Sequence, residues 1–164
     1  MRRIGGVFDE ICSFPNLMRA ARRASAGKGT TKSVAAFLAQ TEPEVLALQR
    51  RLLDGSWRPG EPTTFWIRDP KPREITAAPF SDRVVHHALI DVLEPRLDAR
   101  MVPHSFACRR GKGQHAALRW TRRLLHTFDW FLKLDVQGFF PSLDHDVVLD
   151  TLHRVLKDRR TLLL

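Results

Sequence analysis

Apolar residues recur at helical spacing through the first third of the chain and predict an amino-terminal helical region. Residues 7–24 repeat with a period of about 3.6, and Pro15 should divide them into two short helices. Residues 34–53 read as one amphipathic helix that Pro43 could interrupt or restart. The side chains of this second segment that should face inward are Phe37, Leu38, Val45, Leu46, Leu48, Leu52 and Leu53.

A change of pattern after residue 60 predicts a β-hairpin. Residues 63–67 are β-branched or aromatic and favour a strand, and residues 73–77 supply its partner. Pro70 and Pro72 favour a turn between them, because proline cannot donate to a strand ladder. The tip of this hairpin should therefore carry Lys71 and Arg73.

Two further helices are predicted in the middle of the chain. The first should be capped by Ser81 or Asp82 and should end near Glu94, before Pro95. After an irregular basic stretch at 103–113, a second helix is predicted over residues 114–128. Its inward positions should be Ala117, Leu118, Leu124 and Leu125, and its outward positions Arg119, Arg122 and Arg123.

The last third should contain one strand and one helix. Residues 130–136 form a nearly continuous apolar run with one acid near its end, which is typical of a buried strand. Asp144 can cap a final helix that carries apolar residues from Val147 to Leu156. The apolar residues 161–164 need a surface to pack on, so the sequence is expected to stop in mid-domain.

Charge narrows the classes of partner. The 164 residues include 27 lysines and arginines against 18 acids, a formal charge of +9, with 43% hydrophobic residues. This balance favours a polyanion such as nucleic acid, although ribosomal and membrane-surface proteins are also basic. The two cysteines form no disulfide or zinc pattern, and no window approaches about 18 apolar residues. A cytoplasmic protein without a membrane span is therefore predicted.

The candidate chemistry lies in two places. Asp135 ends the predicted strand beside the Gly138 turn, where a carboxylate can bind Mg²⁺ or simply cap the turn. The run 109–113 combines two arginines and a lysine with two glycines, which suits anion binding or a solvated loop equally. The residues leave both alternatives open at each place, and one carboxylate cannot hold a pair of metal ions.

Other chemistries are disfavoured. The GKGTTKS stretch at 27–33 lacks the spacing of a phosphate-binding loop and has no apolar strand before it. His86 and His87 are adjacent and point about 100° apart on a helix, which does not suit zinc. A basic linker and structural or template-contacting histidines are the preferred interpretations.

Three ordered segments carry a specific resemblance. PKPREITAAPFSDRVVHHAL, SFACRRGKGQHAAL and LKLDVQGFFPSLDH resemble the leading motifs of reverse transcriptases of bacterial retroelements, and most closely those of diversity-generating retroelements. Group II intron and retron enzymes are related to these. The resemblance implies an α+β chain with helix-rich fingers, a short β-hairpin and the first strand–helix unit of a right-hand polymerase palm. It implies an amino-terminal helical region over 1–60, fingers over 61–128 and an incomplete palm over 129–164.

The resemblance also implies site residues. Asp135 matches the first catalytic, metal-binding aspartate, and the Val136 carbonyl should lend a second oxygen to Mg²⁺, with two ions in a complete enzyme. Four residues match positions that contact the incoming nucleotide, namely Lys71, Arg73, Arg109 and Phe140. Nucleic-acid contact is expected at Arg83, Arg110, Lys112 and His115. The implied partners are an RNA template, a DNA primer and dNTP, with a retroelement accessory protein or a separately encoded palm as a further possibility.

Departures from the family pattern limit the expected activity. The sequence contains no tyrosine and no aromatic-x-Asp-Asp string, so the second aspartate motif of an RNA-directed DNA polymerase is missing. The isolated chain is therefore expected to be inactive alone. Two alternatives stay open: a non-catalytic basic module that binds nucleic acid or protein, and a shortened gene product of a full polymerase.

Overall fold

The computed structural model describes residues 3–164 as an α+β chain that is rich in helix, as predicted. A single antiparallel hairpin forms the sheet of this part of the chain. The elements in chain order are α1 (Phe8–Ile11), α2 (Phe14–Ser25), α3 (Lys32–Ala39), α4 (Thr41–Leu53), β1 (Thr63–Arg68), β2 (Pro72–Ala77), α5 (Phe80–Asp98), α6 (Gly113–Leu125), α7 (His145–Val155) and α8 (Arg159–Leu162).

The hydrophobic core lies among α1, α2, α4 and α5, and α3 contributes Val34 and Phe37. Asn16 is a buried polar residue within it. Its side-chain amide donates to the carbonyls of Ile11 and Ala88, both at 3.0 Å, and thereby joins α1 and α2 to α5. Because this place is buried, the Asn16 amide supplies these carbonyls with a hydrogen-bond donor where water has no access.

The amino-terminal pattern was predicted correctly except at one break. Pro15 separates two helices, as expected. The predicted helix over 34–53 is instead two helices that meet at Gln40, with Pro43 in the first turn of α4, where its missing N–H costs little. The buried residues form one narrow stripe on each helix, at spacings of three and four, and Leu38, Leu46 and Leu53 each lie about 100° to one side of it. Three predicted inward residues are therefore exposed, namely Leu38, Leu46 and Leu53.

Helix α5 differs from its prediction at both ends. Pro79 precedes it, and Asp82 lies buried in its first turn, where it accepts a hydrogen bond from the Gly60 N–H at 2.7 Å instead of capping the helix. The helix also continues through Pro95 to Asp98. Val92, Leu93 and Leu97 pack on the core on both sides of the proline, and this packing offsets the lost backbone bond.

The hairpin was predicted correctly and projects from the helices. Thr63 pairs with Ala77 and Arg68 with Pro72, in an antiparallel register. Pro72 is tolerated because it begins the second strand. Residues 61–74 are all exposed, so both faces of the ribbon are accessible to solvent over most of its length.

The region between α5 and the end of α7 contradicts the predicted burial. Helix α6 ends at Leu125 and has no buried residue, and Leu118 and Leu124 face solvent. Residues 130–136 form no strand and are exposed. An apolar run becomes a buried strand only beside pairing neighbours, and within residues 3–164 no strand pairs with it.

The carboxyl-terminal residues return to the amino-terminal core. Ile4 and Leu156 form a parallel bridge, and the Asp158 carboxylate accepts the Phe8 N–H at 3.1 Å. The Arg160 guanidinium lies 3.8 Å from the centre of the Phe8 ring. Leu162 and Leu164 pack against the core, so part of the apolar stretch has the packing surface it was expected to need.

Asp144 caps α7, as predicted, by accepting the N–H groups of Asp146 and Val147. In the part of the chain that the structure describes, no helix is both long and apolar enough to cross a bilayer. The predicted boundaries at 60 and 128 stay a prediction.

Candidate nucleic-acid interface

A cationic segment covers residues 108–127, from the loop before α6 to just beyond that helix. It contains no aspartate or glutamate. Its lysines and arginines are Arg109, Arg110, Lys112, Arg119, Arg122 and Arg123. Such a run of one sign creates a local field that attracts polyanions.

Helix α6 collects its cations on one face. Arg119 comes four residues after His115, and Arg122 and Arg123 come three and four residues after Arg119, which places all four on the same side of a helix. All four are exposed. The outward positions of the three arginines are therefore confirmed, and the helix presents a continuous basic surface.

An aromatic contact joins α6 to the preceding loop. The rings of His104 and Trp120 stack with centroids 4.4 Å apart and planes inclined at 26°. Trp120 follows Arg119 directly, so its side chain points about 100° around the helix axis from that arginine. The stack joins the helix to the loop and leaves the side chains of Arg119, Arg122 and Arg123 exposed.

Arg109 is enclosed by the loop. Its Nε donates to Asp98 Oδ1 at 2.5 Å, and Nη2 donates to the Asp98 carbonyl at 3.2 Å. Its Nη1 donates to the carbonyls of Val102 and Ser105 at 2.8 and 3.1 Å. The side chain is only 9% exposed. Four of its five donors are used inside the chain, so Arg109 has a structural role in this loop. Nucleotide contact by Arg109 stays a prediction.

The electrostatics of this contact favour the charged pair. The hydrogen bond from Arg109 holds the pKa of the Asp98 carboxyl below its ordinary value of 3.8. The same bond raises the pKa of Arg109. Both groups are therefore charged at neutral pH.

Lys112 is also turned toward the loop. Its Nζ donates to the Pro103 carbonyl at 2.9 Å and lies 5.4 Å from the centre of the Phe106 ring. The Gly113 N–H closes the loop by donating to the Phe106 carbonyl at 3.0 Å. Arg110, in contrast, is exposed. Of the predicted nucleic-acid contacts in this loop, Arg110 is the more accessible.

Arg83 is mainly packed against its own helix. Its guanidinium lies 5.3 Å from the centre of the Phe80 ring, and its Nε is buried without a hydrogen-bond partner. Template contact by Arg83 stays a prediction.

The hairpin tip carries Lys71 and Arg73, both exposed, as the sequence indicated. Within residues 3–164, no hydrogen bond or ion pair joins the tip to Asp135. The described contacts therefore do not join these residues directly. Nucleotide binding at the tip stays a prediction.

Asp135 lies in an exposed stretch outside any strand. Its Oδ1 accepts the N–H of Val136 at 3.0 Å. Phe139 and Phe140 contact each other edge to face beyond it, and Phe140 is 83% exposed. The described residues bring together no cluster of three potential metal ligands, so they do not fit a two-ion magnesium site by themselves.

Sequence reasoning missed two residues that organise the interface. Asp98 is eleven positions before Arg109, and nothing in the local pattern links the two. His104 lies in the basic stretch that was predicted to be irregular, and no local pattern links it to Trp120. The alternation of glycine and cations at 109–113 was the one available signal that this loop has a defined conformation.

No family model matches the chain. It is similar to nuclear intron maturase 1 of Arabidopsis thaliana, a protein named as mitochondrial, with 40% identity over 83 residues. This match covers 51% of the chain and 12% of the maturase. Nuclear intron maturase 2 of the same plant is 29% identical over 134 residues, 72% of the chain and 18% of that protein. The group II intron-encoded protein LtrA of Lactococcus lactis is 23% identical over 123 residues, 73% of the chain and 20% of its own length.

The homologues are intron maturases and group II intron-encoded proteins. These proteins are related to reverse transcriptases, which supports the broader part of the predicted resemblance. The closer likeness to diversity-generating retroelements stays a prediction, as do polymerase activity and a cytoplasmic location. The chain spans between 12 and 20% of the length of these relatives.

Proposed function

We propose that this chain is an RNA-binding part of a reverse-transcriptase-related, intron-encoded type of protein. The observation that carries the proposal is the exposed basic face of α6 within an acid-free cationic segment. Because the chain is similar to intron maturases, we expect the bound polyanion to be RNA.

Phosphate neutralisation gives the proposed interface a measurable signature. Each phosphate that a cation neutralises releases condensed counterions, so affinity falls with added salt by a slope set by the number of contacts. Arg122 and Arg123 lie in the last turn of α6, exposed and free of neighbouring acids on that helix. Their removal should therefore reduce the salt slope of RNA binding.

A matched pair of variants tests this. Helix α4 also ends in two adjacent arginines, Arg50 and Arg51, both exposed. We expect Arg122→Gln with Arg123→Gln to reduce the slope of log affinity against log salt by about two. Arg50→Gln with Arg51→Gln removes the same charge and should leave the slope unchanged. Equal losses in the two double variants would mean that net charge alone binds RNA and would contradict the proposal.

Nucleotidyl transfer is the second candidate function, supported by the Leu134–Asp135–Val136 motif and the similarity to a group II intron-encoded protein. Magnesium, when bound, would supply charge stabilisation at the transferred phosphate. Asp135 and the Val136 carbonyl would contribute ligands only together with carboxylates beyond those described. Lys71 and Arg73 would then face the nucleotide triphosphate, since both cations suit phosphate oxygens.

Incorporation of dNTP on a primed RNA template separates the two functions. The chain by itself should bind RNA without extending the primer, and Asp135→Asn should leave its RNA affinity unchanged. Primer extension by the chain that Asp135→Asn abolishes would instead assign catalysis to these residues.

A further inference from the structure

Arg109 differs from the other arginines of the cationic segment because its guanidinium is committed to the chain. A guanidinium carries five N–H donors, and Arg109 makes four hydrogen bonds. Its neighbour Arg110 and the arginines of α6 are exposed. Arg109 therefore has little capacity left for a phosphate.

The acceptors of Arg109 lie on two separate elements. Asp98, the last residue of α5, supplies a carboxylate oxygen and its carbonyl, and the loop supplies the carbonyls of Val102 and Ser105. One planar side chain thus ties the end of α5 to the loop that leads into α6. We name this set of contacts the Arg109 clasp.

The loop needs such a tie because its backbone turns sharply. Cys108, Gly111 and Gly113 all have positive φ, at 55°, 71° and 83°. This conformation is costly for cysteine, so surrounding contacts must hold it. The Arg109 clasp begins one residue after Cys108, and the Gly113 N–H bond to Phe106 closes the turn. Together they determine the direction in which α6 leaves the loop.

We propose that Arg109 is a positioning residue whose clasp with Asp98 holds Arg110 and the basic face of α6 in the orientation that contacts one RNA backbone. This inference rests on the RNA-binding function proposed above. It assigns to Asp98, an acid, a favourable effect on the binding of a polyanion.

The sign of that effect distinguishes positioning from simple charge. Asp98→Asn removes a negative charge, so charge alone predicts tighter RNA binding. The clasp predicts weaker binding, because asparagine offers Arg109 only an uncharged oxygen, and the weakened contact would no longer align several cations at once. Asp150→Asn removes the same charge from the exposed surface of α7 and serves as the control.

The test measures RNA affinity against salt for the whole chain and both variants. Asp98→Asn should bind roughly tenfold more weakly at moderate salt, with a slope smaller by about two, as expected when two phosphate contacts are lost. Asp150→Asn should bind as tightly as wild type or more tightly. Asp98→Asn binding that equals or exceeds that of Asp150→Asn would overturn the positioning role.

Arg109→Lys supplies a second, independent arm. Lysine keeps the charge but cannot reproduce the planar fork that reaches three different residues. The variant should therefore behave like Asp98→Asn, whereas a direct phosphate contact by residue 109 predicts affinity near wild type. In both clasp variants, amide hydrogen exchange should increase over 105–113 and stay unchanged in α2, which confirms that the core is folded.

The outcomes separate the two proposals. A wild-type chain without salt-dependent RNA affinity would overturn the RNA-binding function and the positioning role with it. Wild-type binding that both clasp variants retain would overturn the positioning role alone.

Discussion

Arginine residues of the cationic segment fall into two groups, and their exposure distinguishes them. Arg109 is enclosed by four internal hydrogen bonds, whereas Arg122 and Arg123 extend into solvent from α6. An enclosed guanidinium organises the backbone because its fork fixes several carbonyls at once. The exposed arginines of α6 stay accessible to a ligand, so the proposed RNA contacts are assigned to α6 and Arg110.

The two cysteines also occupy opposite environments. Cys12 is buried, and burial raises the pKa of its thiol to about 11, from an ordinary value of 9.0. Cys108 is exposed. Since the thiolate is the reactive form, the two thiols should differ strongly in reactivity.

We expect a thiol reagent at pH 8 to label Cys108 in the native chain and Cys12 only after denaturation. Labelling sites are read by peptide mass spectrometry. Because the pKa of Cys12 is raised by folding, its contribution to stability is complete below pH 9 and is lost as pH rises through about 11. Rapid native labelling of Cys12 at pH 8 would contradict the burial of α1 against the core.

At the scale of elements, the local sequence pattern predicted where helices and strands form better than it predicted which residues are buried. The helical spacing, the proline after α1 and the alternation in the hairpin are local signals, and these elements formed where expected. Periodicity defines an apolar face but does not say whether another element covers it. Leu118 in α6 and Leu134 in the run 130–136 were therefore predicted to be buried but are exposed.

The candidate interface was predictable to a similar extent. The outward arginines of α6 follow from helical spacing alone. The role of Arg109 does not, because its partner Asp98 is brought near by the length of α5, which continues past Pro95. A proline ordinarily ends a helix, and here the packing of Val92, Leu93 and Leu97 on the core offsets that tendency.

Paired truncations test the difference in burial between elements. Leu134 is 81% exposed and Leu48 is 0% exposed. We expect Leu134→Ala to change the free energy of unfolding by less than about 0.5 kcal/mol, and Leu48→Ala to reduce it by about 2–5 kcal/mol. Urea denaturation measures both. A large loss in Leu134→Ala would show that residues 130–136 are packed in the folded chain.

At the scale of the whole molecule, packing and charge occupy different parts of the sequence. The core is built from α1 to α5 with Trp57 and the returning residue Leu156. None of its buried residues lies in α6 or α7, and Leu152 of α7 packs against it. The acid-free cationic segment lies outside this core. Binding at α6 can therefore be altered by substitution with little effect on the stability of the core.

Arginine modification by phenylglyoxal, with and without RNA, tests the central claim most directly. Mass spectrometry of the modified chain reports each arginine separately. We predict that RNA protects Arg119, Arg122 and Arg123 while Arg50 and Arg51 of α4 react as in the free chain. Protection that is equal on α4 and α6, or confined to α4, would contradict an RNA interface on the basic face of α6.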